Sequence, residues 1–355
     1  MKLNWCSFFC SSRYDLAALT DELNQLFGDL PIVGCTTAGE IGPAGYLDHS
    51  IVGLSFPKGS YAAEMGLLQD LNDFNISEGH TFIHTLMQRL ERRPIVFPNR
   101  FAFLLIDGLS MQEEVVACSL QNALGQIPLI GGSAGDDLKF EHTYLFYQGA
   151  FHSNCALLLL ISTSHPTQPF KSQHFKATSN RLVVTAADPP NRIISEINGL
   201  PAAMEYAHLI NVPPDKLGAG HFAASPLVLM IDGEEYVRSI QKANPDNSLT
   251  FYCAIDEGLV LRLASGGDMV QSLARTFEKI RHEIGSLQLV LGCDCILRNL
   301  EISQWPIKVA AADIFKQQNM VGFSTYGEQY RGVHVNQTLT GVAIGYAGSE
   351  AIDAR

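Results

Sequence analysis

Apolar positions along this chain fall into strand-length runs separated by helical periodicity, and the same order of runs occurs three times. "LNWCSFFC" at 3–10 is an apolar strand. In the following "YDLAALTDELNQLFG", Leu16, Leu19, Leu23 and Leu26 fall on one helical face. "PIVG" at 31–34 then leads into the turn "GCTTAGE". Further on, "FAFLLID" at 101–107 precedes the helical "QEEVVACSLQNALG" and "IPLIGGSAGDD" at 127–137. Near the C-terminus, "LQLVLGCDC" at 287–295 precedes "PIKVAAADIFKQQ" and "NMVGFSTYGEQY" at 319–330. Each turn feeds another strand, at 50–56, 143–149 and 338–345.

Strand, helix and strand in about 35 residues describe a βαβ unit whose two strands run parallel. Three such units joined by hairpin-like strands predict an α/β fold of repeated βαβ units with mixed sheets. A different stretch separates the second and third units. It reads as two strands around an Asn-Gly turn, a helix beginning near Pro201, a hairpin at 226–241 with Asp232-Gly233 at its tip, two more strands, and an amphipathic helix at 268–284. A boundary near residue 200 gives two halves, 1–200 and 201–355.

Composition narrows the function classes. The chain is 46% hydrophobic and 17% charged, enough for a sizeable core. A net charge of −12 argues against nucleic acid or an anionic membrane as partner. The densest basic cluster, "ERRP" at 91–94, reads as a solvated helix end. The longest apolar run, at 155–162, is too short to span a bilayer, and the N-terminus reads as a strand, so the expected location is the cytoplasm. Eight cysteines lie in or beside apolar runs with no paired C-x-x-C knuckles, which fits buried, reduced thiols.

The turn "GCTTAGE" has the look of a reactive elbow, but its equivalents hold Cys35, Gly132 and Phe323 at the exposed-looking position. What recurs is Gly and Ser/Thr, which points to backbone geometry. Ligands of α/β sheets sit beyond the carboxyl ends of parallel strands, where the three turns lie. Gly34, Cys35, Thr36, Gly132, Ser133, Ser324 and Thr325 are therefore candidate ligand-binding residues. Glu40 and Glu328 occupy matched places and read as turn braces.

These motifs in this order, with "VTAADPPNRIISEINGLPA", "CDCILR" and "VHVNQTLTGVAIG", resemble the FIST family of bacterial ligand-sensing proteins over nearly the full chain. The resemblance implies N- and C-terminal FIST regions and a sensory module for a small molecule. It also implies links to a separate histidine kinase or cyclic-di-nucleotide signalling protein. Cys295 and Arg298 match the family's C-x-x-R pattern. Arg298 could hold a ligand carboxylate or a haem propionate, or pair with Glu301 or Glu328.

One branch of the family binds haem and senses nitric oxide. For this chain that implies non-covalent haem b with a histidine on the iron, since no C-x-x-C-H motif is present. Of eleven histidines, His334 follows the third turn and is the first choice, with His221 and His142 as alternatives. His80 and His84, spaced i, i+4, lack an adjacent third ligand. The other readings are a sensor of an organic ligand such as an amino acid, a thiol hydrolase or transferase built on Cys35, His334 and Glu328, and a scaffold. The non-enzymatic sensor is the expectation, with ligand, partner and oligomeric state left open.

Overall fold

The computed structural model describes residues 2–231, 233–304 and 307–348. Their contacts form two compact units. One holds the residues through Ser172, Leu273–His334 and those from Leu339 on; the other holds Gln173–Ser272 and Val335–Thr338.

The first unit begins with β1 (Leu3–Ser11), α1 (Leu16–Phe27), β2 (Ile32–Thr37), the short hairpin β3 (Glu40–Gly42) and β4 (Gly45–Leu47), and the strands β5 (Ile51–Pro57) and β6 (Tyr61–Leu68). Asp15 starts α1 by accepting from the backbone N–H groups of Ala17 and Ala18, and Gly28 ends it at φ 54°. The second repeat comprises α2 (Ile76–Glu91), β7 (Asn99–Ile106), α3 (Glu113–Leu124), β8 (Leu129–Ser133), the hairpin β9 (Leu145–Tyr147) and β10 (Ala150–His152), β11 (Ala156–Thr163) and β12 (Thr167–Ser172).

The second unit follows, with β13 (Phe175–Asp188), β14 (Ile193–Ile197), β15 (Leu200–Pro201), α4 (Ala202–Leu209), α5 (Ala219–Ala224), β16 (Leu227–Ile231), β17 (Glu234–Arg238), β18 (Ile240–Ala243), β19 (Leu249–Phe251) and β20 (Val260–Gly266). These strands make one antiparallel sheet around a core that includes Leu182, Ile194, Tyr206, Leu249 and Leu261. Helix α4 starts one residue after Pro201, as read from the sequence, and the β16–β17 hairpin is present. Asp232 at its tip lies outside the described residues.

Helix α6 (Met269–Ile284) leads back to the third repeat: β21 (Leu287–Cys295), α7 (Ile296–Gln304), α8 (Lys308–Gln317), β22 (Met320–Thr325), the hairpin β23 (Glu328–Tyr330) and β24 (Val333–Val335), and β25 (Leu339–Gly345). Three parallel pairs, β1–β2, β7–β8 and β21–β22, form as expected. Strands β5, β11 and β25 return antiparallel on the far side of each pair. Helix α7, which follows β21 without a break, was not foreseen.

The repeats do not stand alone. Each turn throws its hairpin onto the sheet of another repeat. Strand β3 pairs with β22 through Gly322↔Ile41, β23 pairs with β8 through Glu328↔Gly132, and β9 pairs with β2 through Gly34↔Phe146. The exchange closes a ring of three sheets around one core, in which Trp5, Phe9, Phe103, Leu105, Phe323 and Val342 meet. A second core lies under α2 and α3.

The equivalent glycines Gly34, Gly131 and Gly322 owe their identity to close approach. A Cβ on Gly322 would sit 1.9 Å from the Gly292 carbonyl oxygen, and one on Gly131 2.0 Å from that of Leu104. The compact units divide after Ser172 and Ser272. Strand β22 pairs with β3 and β25 with β12, which ties the C-terminal repeat to the first part of the chain.

Candidate functional site

The three turns lock one another. After β2, Ala38 and Gly39 (φ 128°) reverse the chain, and Thr37 Oγ1 lies 2.5 Å from Glu40 Oε1. The third turn repeats this with Gly327 (φ 145°) and a Thr325–Glu328 hydrogen bond. In the shorter middle turn Asp136 takes the place of the glutamate. It accepts from the Tyr326 hydroxyl and from the backbone N–H groups of Phe140, Glu141 and His142. Burial alone would raise the Asp136 carboxyl, but these hydrogen bonds hold it below the ordinary value.

Backbone bonds then run from turn to turn. Ser324 N–H donates to Gly39 at 2.7 Å, Ser133 N–H to Gly327 at 2.8 Å, and Gly135 N–H to Thr36 at 3.0 Å. First grips third, third grips second, and second grips first. Because the groups are main-chain, the side chains between them are free to vary.

Those side chains point into the core. Cys35 is fully buried, and burial pushes its thiol well up, with Cys10, Cys293 and Glu40 adding to the effect. A Cβ on Gly132 would meet Thr325 Cγ2 at 2.5 Å and Phe323 and Cys293 at 3.0 Å, so the large residue of one turn fills the space that glycine leaves in another. Phe323 stacks on Phe9 with ring centroids 4.5 Å apart. Thr36 Oγ1 accepts from Tyr144 N–H, and Ser324 Oγ accepts from Asn299. Thr325 and Cys295 are buried as well.

Arg298 Nε pairs with Asp294 Oδ1, four residues earlier at the end of β21, at 2.7 Å, and Glu301 adds to the negative field around the guanidinium. Both side chains are sealed from solvent, and the Tyr46 hydroxyl donates to the other Asp294 oxygen at 2.7 Å. Burial raises the Asp294 carboxyl, and the Arg298 charge offsets part of that rise.

The histidines are dispersed. His334 is buried, its Nδ1 3.1 Å from Gln329 Nε2, which also reaches Ser133 Oγ at 3.0 Å. His221 lies half-buried on α5 of the second unit. His142 is exposed beside a cleft of about 150 Å³, which it lines with Ser12, Asp136 and Tyr144. His80 and His84 are exposed on α2. Haem iron needs an accessible ring nitrogen over a large apolar cleft, and neither His334 nor His142 meets that requirement in this conformation. Among the described residues no group of three or more His, Cys, Asp or Glu side chains could hold a metal ion.

Open volume lies at the other end of the strands. A cleft of about 440 Å³ opens where β1 and β2 begin, between them, β6 and the β9–β10 hairpin. Such volumes suit small molecules. Leu23, Val33, Met65 and Phe146 supply apolar wall. Trp5, 1% exposed, lines it too, and its indole Nε1–H has no acceptor among the described residues. Arg93 Nε meets Glu64 Oε1 at 2.5 Å on the cleft wall. None of the nine turn and helix residues expected to bind ligand lines this cleft. The sequence carried two signals: Glu64 interrupts an apolar strand, and Arg93 belongs to the "ERRP" cluster read as a solvated helix end.

Two family models cover the chain, the FIST N domain over residues 4–200 and the FIST C domain over 202–331. The chain belongs to the FIST family. This FIST protein is also similar to the uncharacterized protein MJ1623 of Methanocaldococcus jannaschii, at 21% identity over 290 residues. The match covers 72% of the chain and 56% of that relative, so the chain spans little more than half of the relative's length. FIST domains mark a signal-transduction sensor of small ligands. In this one, no helix among the described residues is long and apolar enough to cross a membrane.

Proposed function

We propose that this FIST protein senses a small zwitterionic organic ligand, such as an amino acid, in the 440 Å³ cleft, and that it acts without turnover. The observation that carries the reading is the Glu64–Arg93 pair beside the buried Trp5 donor. The Arg93 Nη groups and Glu64 Oε2 have no partners among the described residues, so a ligand carboxylate and ammonium have complementary groups on one wall. The apolar residues opposite suit a ligand side chain. A sealed Cys35 thiol with a raised pKa is a poor nucleophile, which supports sensing over hydrolysis or group transfer.

The bound state would be read by a separate signalling protein, such as a histidine kinase or a cyclic-di-nucleotide enzyme. A ligand shifts that equilibrium only by its difference in affinity for the two states. The test is a thermal-shift screen of the twenty L-amino acids at millimolar concentration. At least one should raise the melting temperature, and Arg93→Ala and Glu64→Gln should each remove the rise. No rise with any amino acid, or a rise that both variants keep, refutes the reading. Protein purified from haem-supplied cells should show no Soret band; a band lost in His334→Ala would restore haem as the ligand.

A further inference from the structure

Strand β6 is an edge. Among the described residues its one strand partner is β11, apart from an isolated bridge from Tyr61 to Lys58 at its start, and its other side opens on a groove of about 1110 Å³ between α2 and the β9–β10 hairpin. One contact fixes which backbone groups face outward. The Met65 carbonyl accepts from the Tyr147 hydroxyl at 3.2 Å, from across the groove and not from β11. In an antiparallel strand the N–H and C=O of one residue point to the same side, and successive residues alternate. Leu67, two residues on, therefore also presents its N–H and C=O to the groove, where no described residue takes them.

Charge is divided along the groove. Asp70, Asp73 and Glu78 line the end where β6 finishes, and Arg89 lines the other. Glu78 and Arg89 lie eleven residues apart on α2, about 16 Å at 1.5 Å per residue. That length takes about five extended residues. The volume exceeds the roughly 300–1,000 Å³ of small-molecule sites, and a free strand edge offers main-chain bonding that no metabolite needs.

We propose that this groove docks an extended segment of a partner protein as an added strand, antiparallel to β6, with basic residues at the segment's amino-terminal end. Antiparallel addition places that end beside Asp70, Asp73 and Glu78, and an acidic residue four or five positions later beside Arg89. Main-chain bonds to Leu67 supply affinity, and the charge division sets direction. The inference goes beyond the sensor reading and holds whatever the cleft binds.

Random decapeptides displayed on phage and selected against the full chain test it, with fluorescence anisotropy of the best labelled peptide as the readout. Selected peptides should carry lysine or arginine in their first half. Affinity should fall at least tenfold in Leu67→Pro, which deletes an outward N–H at an edge position where proline is tolerated. Should that variant fail to fold, Asp73→Lys with Glu78→Lys alters two exposed side chains and should cause the same loss. The proposal is overturned if no peptide is selected, or if selected peptides bind the variants as tightly as the parent. It is also overturned if sedimentation shows a dimer that Leu67→Pro dissolves, because the occupant is then a second copy. Peptide binding together with a failed amino-acid screen leaves the groove intact and removes only the cleft reading.

Discussion

Replacing Glu40 separates its hydrogen bonds from its charge. Its carboxyl is fully buried and raised above the ordinary glutamate value near 4.5, by burial first and by nearby Asp137 in part, against the pull of hydrogen bonds from Thr37 and Ser50. The local geometry favours a proton there. Thr37 Oγ1 has one hydrogen but two acceptors, Cys10 O at 3.2 Å and Glu40 Oε1 at 2.5 Å. A protonated Oε1 donates to Thr37, which then donates to Cys10, while Oε2 accepts from Ser50 N–H and Oγ–H. Glu40→Gln reproduces that pattern with an amide and should change stability by less than about 1 kcal/mol near pH 5. Glu40→Ala loses three hydrogen bonds at about 1 kcal/mol each, so about 3 kcal/mol and a fall in melting temperature of roughly 6–12 °C for a unit of this size. A folded pKa above the unfolded one gives stability that is full below the unfolded value and lost as pH rises through the folded value. Parent protein should therefore lose stability between about pH 4.5 and the raised value, at no more than about 1.4 kcal/mol per pH unit from this group. Glu40→Gln should flatten that slope. Urea unfolding from pH 4.5 to 8 measures it. A Glu40→Gln protein as weak as Glu40→Ala at pH 5, with the parent's slope intact, would show that the carboxylate form holds the turn.

Other outcomes follow from the same geometry. Gly322→Ala must part β21 from β22 and should destabilise by about 1–3 kcal/mol or more in chemical denaturation. Gly53→Ala, whose Cβ would meet its nearest atom at 3.4 Å, should fall well short of that loss. Trp5→Phe keeps the ring stacked on Phe56 but removes the Nε1–H, so an amino acid bound in the cleft should weaken several-fold by calorimetry while the melting temperature holds. Tyr147 lines both cleft and groove, so cleft ligand should change the affinity of a groove peptide, and Tyr147→Phe should reduce that coupling in anisotropy titrations.

Long apolar strands and their helices were legible because their pattern runs over eight or more residues and recurs. The register Phe9↔Cys35, Leu105↔Gly132 and Cys293↔Phe323 follows from that repetition. The exchanged hairpins were not, because β3, β9 and β23 are three residues each and carry no period. Their partners are set by main-chain bonds among Gly39, Ser324, Gly327 and Ser133, which no side-chain pattern advertises. The Asp294–Arg298 pair is not legible although four residues separate the two, since α7 starts directly from β21 with no sequence signal for its beginning. The cleft is not legible for a related reason: Trp5, Glu64 and Tyr147 come from three strands and Arg93 from the loop after α2, and they share no motif.

The ring of exchanged hairpins has a consequence for how the protein is made. The partner of strand β3, β22, is translated about 285 residues after it, as the Gly39–Ser324 bond records. At roughly 5–20 residues per second the interval is on the order of 15–60 seconds. Throughout it the first hairpin has no strand to meet, and from the time β8 is made its edge likewise waits for β23. The nascent chain thus carries two open edges until β22 and β23 emerge, and contacts of such long sequence separation form slowly. Ribosome-associated chaperones are the natural cover for those edges, and a stop codon placed before β22 should yield an aggregating chain and no smaller folded one.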